Sequence, residues 1–381
     1  MDFQIASDNA VYIARIIVSL VGVFVLFALT FWLIRKKNRQ QTPVQPNESE
    51  KPRFESSNFE ITYAHMNPLT GQEREERRQI LREQFEHWQA KHLISSEDGK
   101  SLFVRTGVKK NGLRYQLAAT SQAQAFAMLA MVLLAEFDEN ASTKTEALFA
   151  SLLAHPAYRE PNLTSWQFLP DLPRSPRLDA DVHAEAWVLL ALFSARKQWQ
   201  GLQRFDYDEI IANRSLALFQ YWQSIDSDTK NTLPDSTYLL SSLGKYDHTI
   251  DWLELIPPNL SATDDSADRS VVAFSLLQTG LQALLSSDLP SLDFLRQIEK
   301  KLIDTIGEQL SDEALNESED SSFSRLSYLA CCTPALIALQ NQQLSGQIWS
   351  FFLHNSADKD DGLGATLKLL AIALLSNQVW L

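Results

Sequence analysis

The sequence predicts an all-α fold, a toroid of packed helices standing behind a single membrane-spanning helix. Three observations lead there. Only 12 of 381 residues are glycine and 14 proline, a composition poor in the residues that turn chains between strands. From Glu73 onward eleven segments carry helical patterning: 74–93, 121–137, 143–154, 181–199, 207–225, 234–243, 268–284, 290–309, 324–339, 344–353 and 363–377. Some are apolar on nearly every face. Others carry one stripe, as Ile80, Leu81, Phe85 and Trp88 do in 74–93. An inner ring buried all round and an outer ring buried on one side give this contrast. No convincing strand alternation is present, and no fixed repeat supports the alternative, an open solenoid.

A short tail, 1–15, precedes the first apolar element. Ile16 to Ile34 is 19 residues without a charge, enough to cross a hydrocarbon core of about 30 Å at about 1.5 Å per helical residue. Trp32 stands near one end as an interfacial anchor. A cleaved secretory signal is the competing reading. The run exceeds the roughly 7–15 apolar residues of a signal core, and no small-x-small cleavage site precedes the basic cluster. Arg35, Lys36, Lys37 and Arg39 follow the span, whereas Asp2 and Asp8 precede it with Arg15. The positive-inside rule therefore places the downstream domain, 61–381, in the cytoplasm; Arg15 weakens the contrast and keeps the opposite orientation in play. Residues 35–60 form a basic stop followed by a polar, proline-containing tether. Beyond residue 53 the charge is −16, so the globule should stand off an anionic leaflet.

That charge excludes electrostatic capture of nucleic acid. Cys331 and Cys332 are adjacent and staple nothing distant. His183 and Glu185 flank Asp181, but i and i+2 do not share a helix face, so a metal site is not expected. No phosphate loop, nucleophile elbow or Cys-x-x-Cys pair occurs, and no cofactor is expected. Trp166, Trp187, Trp199, Trp222 and Trp252 offer faces for sugar stacking, although helical spacing makes core packing the plainer role for most.

The informative stretch is Ser121-Gln122-Ala123-Gln124-Ala125-Phe126-Ala127-Met128. Polar residues open a helix that is otherwise apolar all round, which marks the mouth of a cleft. The run resembles the Ser-Glu-Gly-Gln-x-Tyr-Gly-Met segment of glycoside hydrolase family 8. Phe85 to Gly99 is similar to that family's opening helix and turn. Asp179-Ala180-Asp181-Val182 resembles its Asp-Gly-Asp pair and leads into Ala186-Trp187-Val188-Leu189-Leu190. Pro234 to Tyr238 echoes its Asn-Pro-Ser-Tyr segment. The ordered set covers about 85–275.

The resemblance implies an (α/α)6 barrel and inverting hydrolysis of β-glucan, in which one carboxylic acid protonates the leaving oxygen and one carboxylate activates water. It implies substrate-binding roles for Asp179, Asp181, Gln124 and Tyr238. The acid position holds Gln122, and an amide has no proton to give at neutral pH. Loss of a general acid costs about 10²–10⁴-fold. Phe126 replaces a tyrosine, and Ala123 and Ala127 replace glycines that permit close backbone approach. Asp268 is the nearest candidate base, but the family's flanking Tyr and Arg are missing; capping of a helix is the plainer role for Asp264, Asp265 and Asp268.

The expectation is a single-pass inner-membrane protein of a bacterial exopolysaccharide or cellulose-type (biofilm) system. It would be an inactive hydrolase relative that binds glycan or scaffolds a partner such as a polysaccharide synthase. The alternatives are an active, periplasm-facing β-glucan hydrolase with a relocated acid, and a helical interaction protein unrelated to glycans.

Overall fold

The computed structural model describes residue 69 and residues 74–111, 114–170, 177–199, 205–226, 234, 236–255, 268–285, 289–311 and 323–376. The expected tail, span and tether, together with Asp235, Asp264 and Asp265, lie outside them. Among the described residues no helix is long and apolar enough to cross a membrane.

Eleven α-helices are described: α1 (Arg74–His92), α2 (Ser121–Leu133), α3 (Ala141–Leu153), α4 (Val182–Gln198), α5 (Tyr207–Ser224), α6 (Thr237–Tyr246), α7 (Arg269–Leu285), α8 (Leu289–Leu310), α9 (Arg325–Ala338), α10 (Gln342–His354) and α11 (Gly362–Leu375). Helix α2 packs on α4, α4 on α6, α6 on α7, α7 on α9, α9 on α11, and α11 returns to α2. The inner ring has six members and closes, which excludes the open solenoid. Outside it, α1 packs on α11, α3 on α2, α5 on α4, α8 on α7 and α9, and α10 on α9 and α11.

Burial follows the sequence pattern. In α4 only Arg196 and Lys197 escape burial, whereas the 22-residue α8 buries just Leu295, Leu302, Ile306 and Gln309. An inner helix has neighbours on all sides, and each buried Leu or Phe contributes about 1.5–3 kcal/mol. Where α7 meets α9 the backbones approach closely. A Cβ on Gly280 would overlap the backbone of Pro334 and Ala335, so only glycine fits. Cys331 and Cys332 lie buried on α9 without a disulfide, and burial pushes the Cys332 thiol up to about 12.

The all-α expectation needs one correction, because among the described residues five short strands accompany the helices. Strands β1 (Leu93–Ser95) and β2 (Leu102–Val104) form one hairpin; β3 (Gly107–Asn111), β4 (Arg114–Thr120) and β5 (Gln167–Phe168) are antiparallel neighbours. At two to seven residues each, they are too short for alternation to stand out from the chain. Their sequence signals were turns. Gly99 at φ +70° sits between β1 and β2.

The segment that carries β5 is tied down from below. Glu185, on α4, accepts from Thr164 N at 2.8 Å and from Arg214 of α5 at 2.7 and 3.0 Å. Arg214 also donates to Thr164 Oγ1 at 2.5 Å. Burial raises the Glu185 carboxyl pKa, and Arg214 opposes that rise. Removing one member leaves an unpaired buried charge, which costs about 3–5 kcal/mol, more than replacing both by apolar residues. Arg214→Leu should therefore lower stability by about that amount in urea unfolding, and Glu185→Leu/Arg214→Leu should recover much of the loss.

Candidate functional site

Strand β4 delivers the chain directly into α2. Thr120, its last residue, caps the helix by accepting from Ala123 N at 3.2 Å. Ser121 is fully buried and donates its backbone N–H to Trp166 O at 3.1 Å, joining the start of α2 to the segment leading into β5. Trp166 N in turn donates to Asp179 O at 2.9 Å, and two residues later Asp181 caps α4 by accepting from His183 N at 2.9 Å and Ala184 N at 3.2 Å. At the same mouth Asp361 caps α11 through Gly364 N at 2.8 Å. These N-termini surround a cavity of about 980 Å³, to which α7 contributes Ser270, Val271 and Phe274.

Gln122, Asp179 and Asp181 all line this cavity. The Gln122 amide lies 3.4 Å from His183 Nδ1. Asp179 Oδ2 pairs with Arg159 Nε at 3.1 Å, and both residues face the cavity. Burial raises the Asp181 carboxyl pKa from its ordinary 3.8, with the backbone N–H groups of Ala184 and His183 working against that rise. Asp361 is also raised by burial, opposed by hydrogen bonds from Ser324 and Gly364. Two carboxyls in one cavity thus have pKa values raised above the ordinary carboxylate value.

Other expected site residues are placed elsewhere. Gln124 is fully buried: its Oε1 accepts from Val104 N at 2.6 Å, and its Nε2 donates to Leu102 O at 3.1 Å and Leu148 O at 3.3 Å. It fastens the β1–β2 hairpin and α3 to α2 and does not reach the cavity, because it is two residues on from Gln122 and two residues turn about 200° on a helix. Tyr238 is buried on α6, where its hydroxyl bonds Ser242, again off the cavity lining. Ala123 and Ala127 are fully buried and take no part in the lining, so the lost glycines do not narrow it. Asp268 is exposed and bonds Ser270 N at 2.7 Å and Ser270 Oγ at 2.5 Å, which pulls its carboxyl below the ordinary value. This is the capping role.

Sequence reasoning missed Asp361, Asp226 and Arg159 as lining residues. Asp361 had a signal, since it immediately precedes a helix-opening Gly-Leu-Gly. Of the five tryptophans weighed for stacking, Trp166 is 44% exposed and lines the cavity, while Trp187, Trp199, Trp222 and Trp252 are core. Phe126 packs against Trp187 and Phe274 with centroids 4.9 and 6.2 Å apart, so the missing tyrosine hydroxyl leaves an apolar contact. Glu185 is held by Arg214, and among the described residues no cluster of metal-ligating side chains forms.

This architecture is that of a glycoside hydrolase toroid. The chain superposes on the β-1,3-1,4-glucanase of Paenibacillus sp. X4 with a TM-score of 0.64 at 15% identity, over 82% of this chain and 95% of that one. It superposes on a cold-adapted family 8 xylanase at 0.57 and 12% identity, over 79% and 91%. In sequence, 126 residues are 27% identical to an endoglucanase of Bacillus sp. strain KSM-330, covering 32% of this chain and 27% of that relative's length. No protein-family model matches. The fold is that of the family 8 glycoside hydrolases, and the chain is similar to them in fold and to a glucanase over part of its sequence.

Asp181 gives the site a testable pH signature. A carboxyl raised by burial contributes stability that is complete below its unfolded pKa and is lost as pH rises through its folded value. Asp181→Asn keeps a side chain that caps well and removes the ionisation. Its melting temperature should match that of the wild type near pH 4 and exceed it increasingly towards pH 7, as thermal unfolding across that range would show.

Proposed function

We propose that this chain is a membrane-anchored relative of the family 8 hydrolases that binds β-linked glycan without cleaving it. Its place is as a binding or scaffolding subunit of a bacterial exopolysaccharide or cellulose-type system. The observation that carries this reading is Gln122, an amide at the resemblance's acid position and on the cavity wall. The cavity supports the binding half of the reading. At about 980 Å³ it lies near the upper end of ligand-site volumes, and the half-exposed Trp166 offers a face on which a sugar ring can stack. The basic residues after the expected span support a cytoplasmic domain beside a synthase, away from secreted polymer.

A second reading has its own support. Asp181 and Asp361 are carboxyls raised by burial in the same cavity, the property an inverting acid needs. Under this reading the chain is an active β-glucan hydrolase with a relocated acid.

Purified full-length protein incubated with soluble mixed-linkage β-glucan should release no reducing ends, while calorimetry should detect cello-oligosaccharide binding. Turnover abolished by Asp181→Asn or Asp361→Asn would establish the second reading. A reporter fused after Leu381 should be active on the cytoplasmic side, and periplasmic activity would overturn the orientation.

A further inference from the structure

His183 stands between the Gln122 side chain and the core, and both of its ring nitrogens are engaged. Nδ1 lies 3.4 Å from the Gln122 amide, and Nε2 lies 3.3 Å from Trp187 Nε1 and 3.3 Å from Gln278 Nε2. Two of the surrounding groups have no choice of role. An indole N–H only donates, so the Trp187 contact requires a lone pair on His183 Nε2. The backbone N–H of Leu239 also only donates, and it meets Gln278 Oε1 at 3.0 Å. That contact turns the Gln278 amide so that its N–H₂ faces the imidazole. His183 Nε2 therefore receives two N–H groups and carries no proton.

The ring is 2% exposed, and burial pushes its pKa down to about 3. At neutral pH it is uncharged and has one proton, which falls to Nδ1. An N–H at Nδ1 needs an acceptor, and the group facing it is the Gln122 amide. Half a turn of that amide puts Oε1 against Nδ1 and directs its N–H₂ to the other side, into the cavity that Gln122 lines.

We infer that Trp187, Leu239 and Gln278 act through His183 to hold Gln122 with its amide N–H₂ facing the cavity, as a hydrogen-bond donor to an uncharged oxygen of the ligand. The orientation follows from these contacts alone; naming the oxygen as a glycosidic oxygen, which accepts and cannot donate, rests on the function proposed above. A consequence concerns the acid position itself. A glutamate at 122 would receive the same Nδ1–H, which favours its ionised form. Gln122→Glu alone should therefore still release no reducing ends at neutral pH.

The test uses full-length protein in detergent micelles with ¹⁵N-labelled histidine. Long-range ¹H–¹⁵N correlation distinguishes protonated from bare ring nitrogens, with the His183 signals assigned by their contact to the Trp187 indole proton. Nδ1 protonated and Nε2 bare at pH 7 is the expected result; a proton on Nε2, alone or in an imidazolium, overturns the inference. In calorimetry with cellohexaose, Gln122→Glu should bind at least about tenfold more weakly than wild type, because an acceptor then faces an acceptor. Equal affinity would overturn the donor role. A wild type with no affinity for cellohexaose would overturn the glycan reading, and the nitrogen measurement would still decide the orientation.

Discussion

Closure of the inner ring is the constraint on which the rest depends. Six helices packed side by side, α2, α4, α6, α7, α9 and α11, keep water from most of their length, so all but α6, which exposes Lys245, are apolar nearly all round. The unpaired backbone N–H groups at a helix start remain, and a buried donor left unmade costs about 1–3 kcal/mol. Where these starts meet the cavity, Thr120, Asp181 and Asp361 satisfy them. The polar groups the fold needs for its helix ends are therefore groups that line the cavity. Cap and site coincide because the cavity opens where the buried helices begin.

This coincidence explains what was legible in the sequence. Every one of the eleven helical segments exists, with ends within a few residues, because a helix of four turns imprints its period on the chain. Strands β1 to β5 left no such imprint. Among the site residues, Gln122, Asp179 and Asp181 were found through motif order, and all three line the cavity. Gln124 and Tyr238 show where that method fails. A motif fixes position along the chain, whereas a side chain's direction depends on its angle around the helix and on its partners. Gln124 points to Val104, Leu102 and Leu148, and nothing local announces such distant backbone groups. Asp361 lay beyond the stretch covered by the resemblance, and only its cap signal marked it.

The chain thus shares the fold of the family 8 hydrolases, and the position that the sequence resemblance matches to their acid holds an amide. Gln122 does not stand alone there. It is the outward end of a chain of contacts running through His183 to Trp187, Gln278 and Leu239. Each contact involves a group whose role as donor or acceptor is set by the one before it. Such a network gives the cavity a fixed polarity at the point where a relative's acid would stand, and it does so without any group that titrates near neutral pH. Binding needs fixed donors and acceptors; general acid catalysis needs a proton that can leave.

The most direct test is a crystal structure of the protein grown with cellohexaose. An intact oligosaccharide crossing the cavity, with one of its oxygens within hydrogen-bonding distance of the Gln122 amide nitrogen, is the predicted result. Cleaved fragments in the cavity, or sugar bound only elsewhere on the surface, would contradict the account.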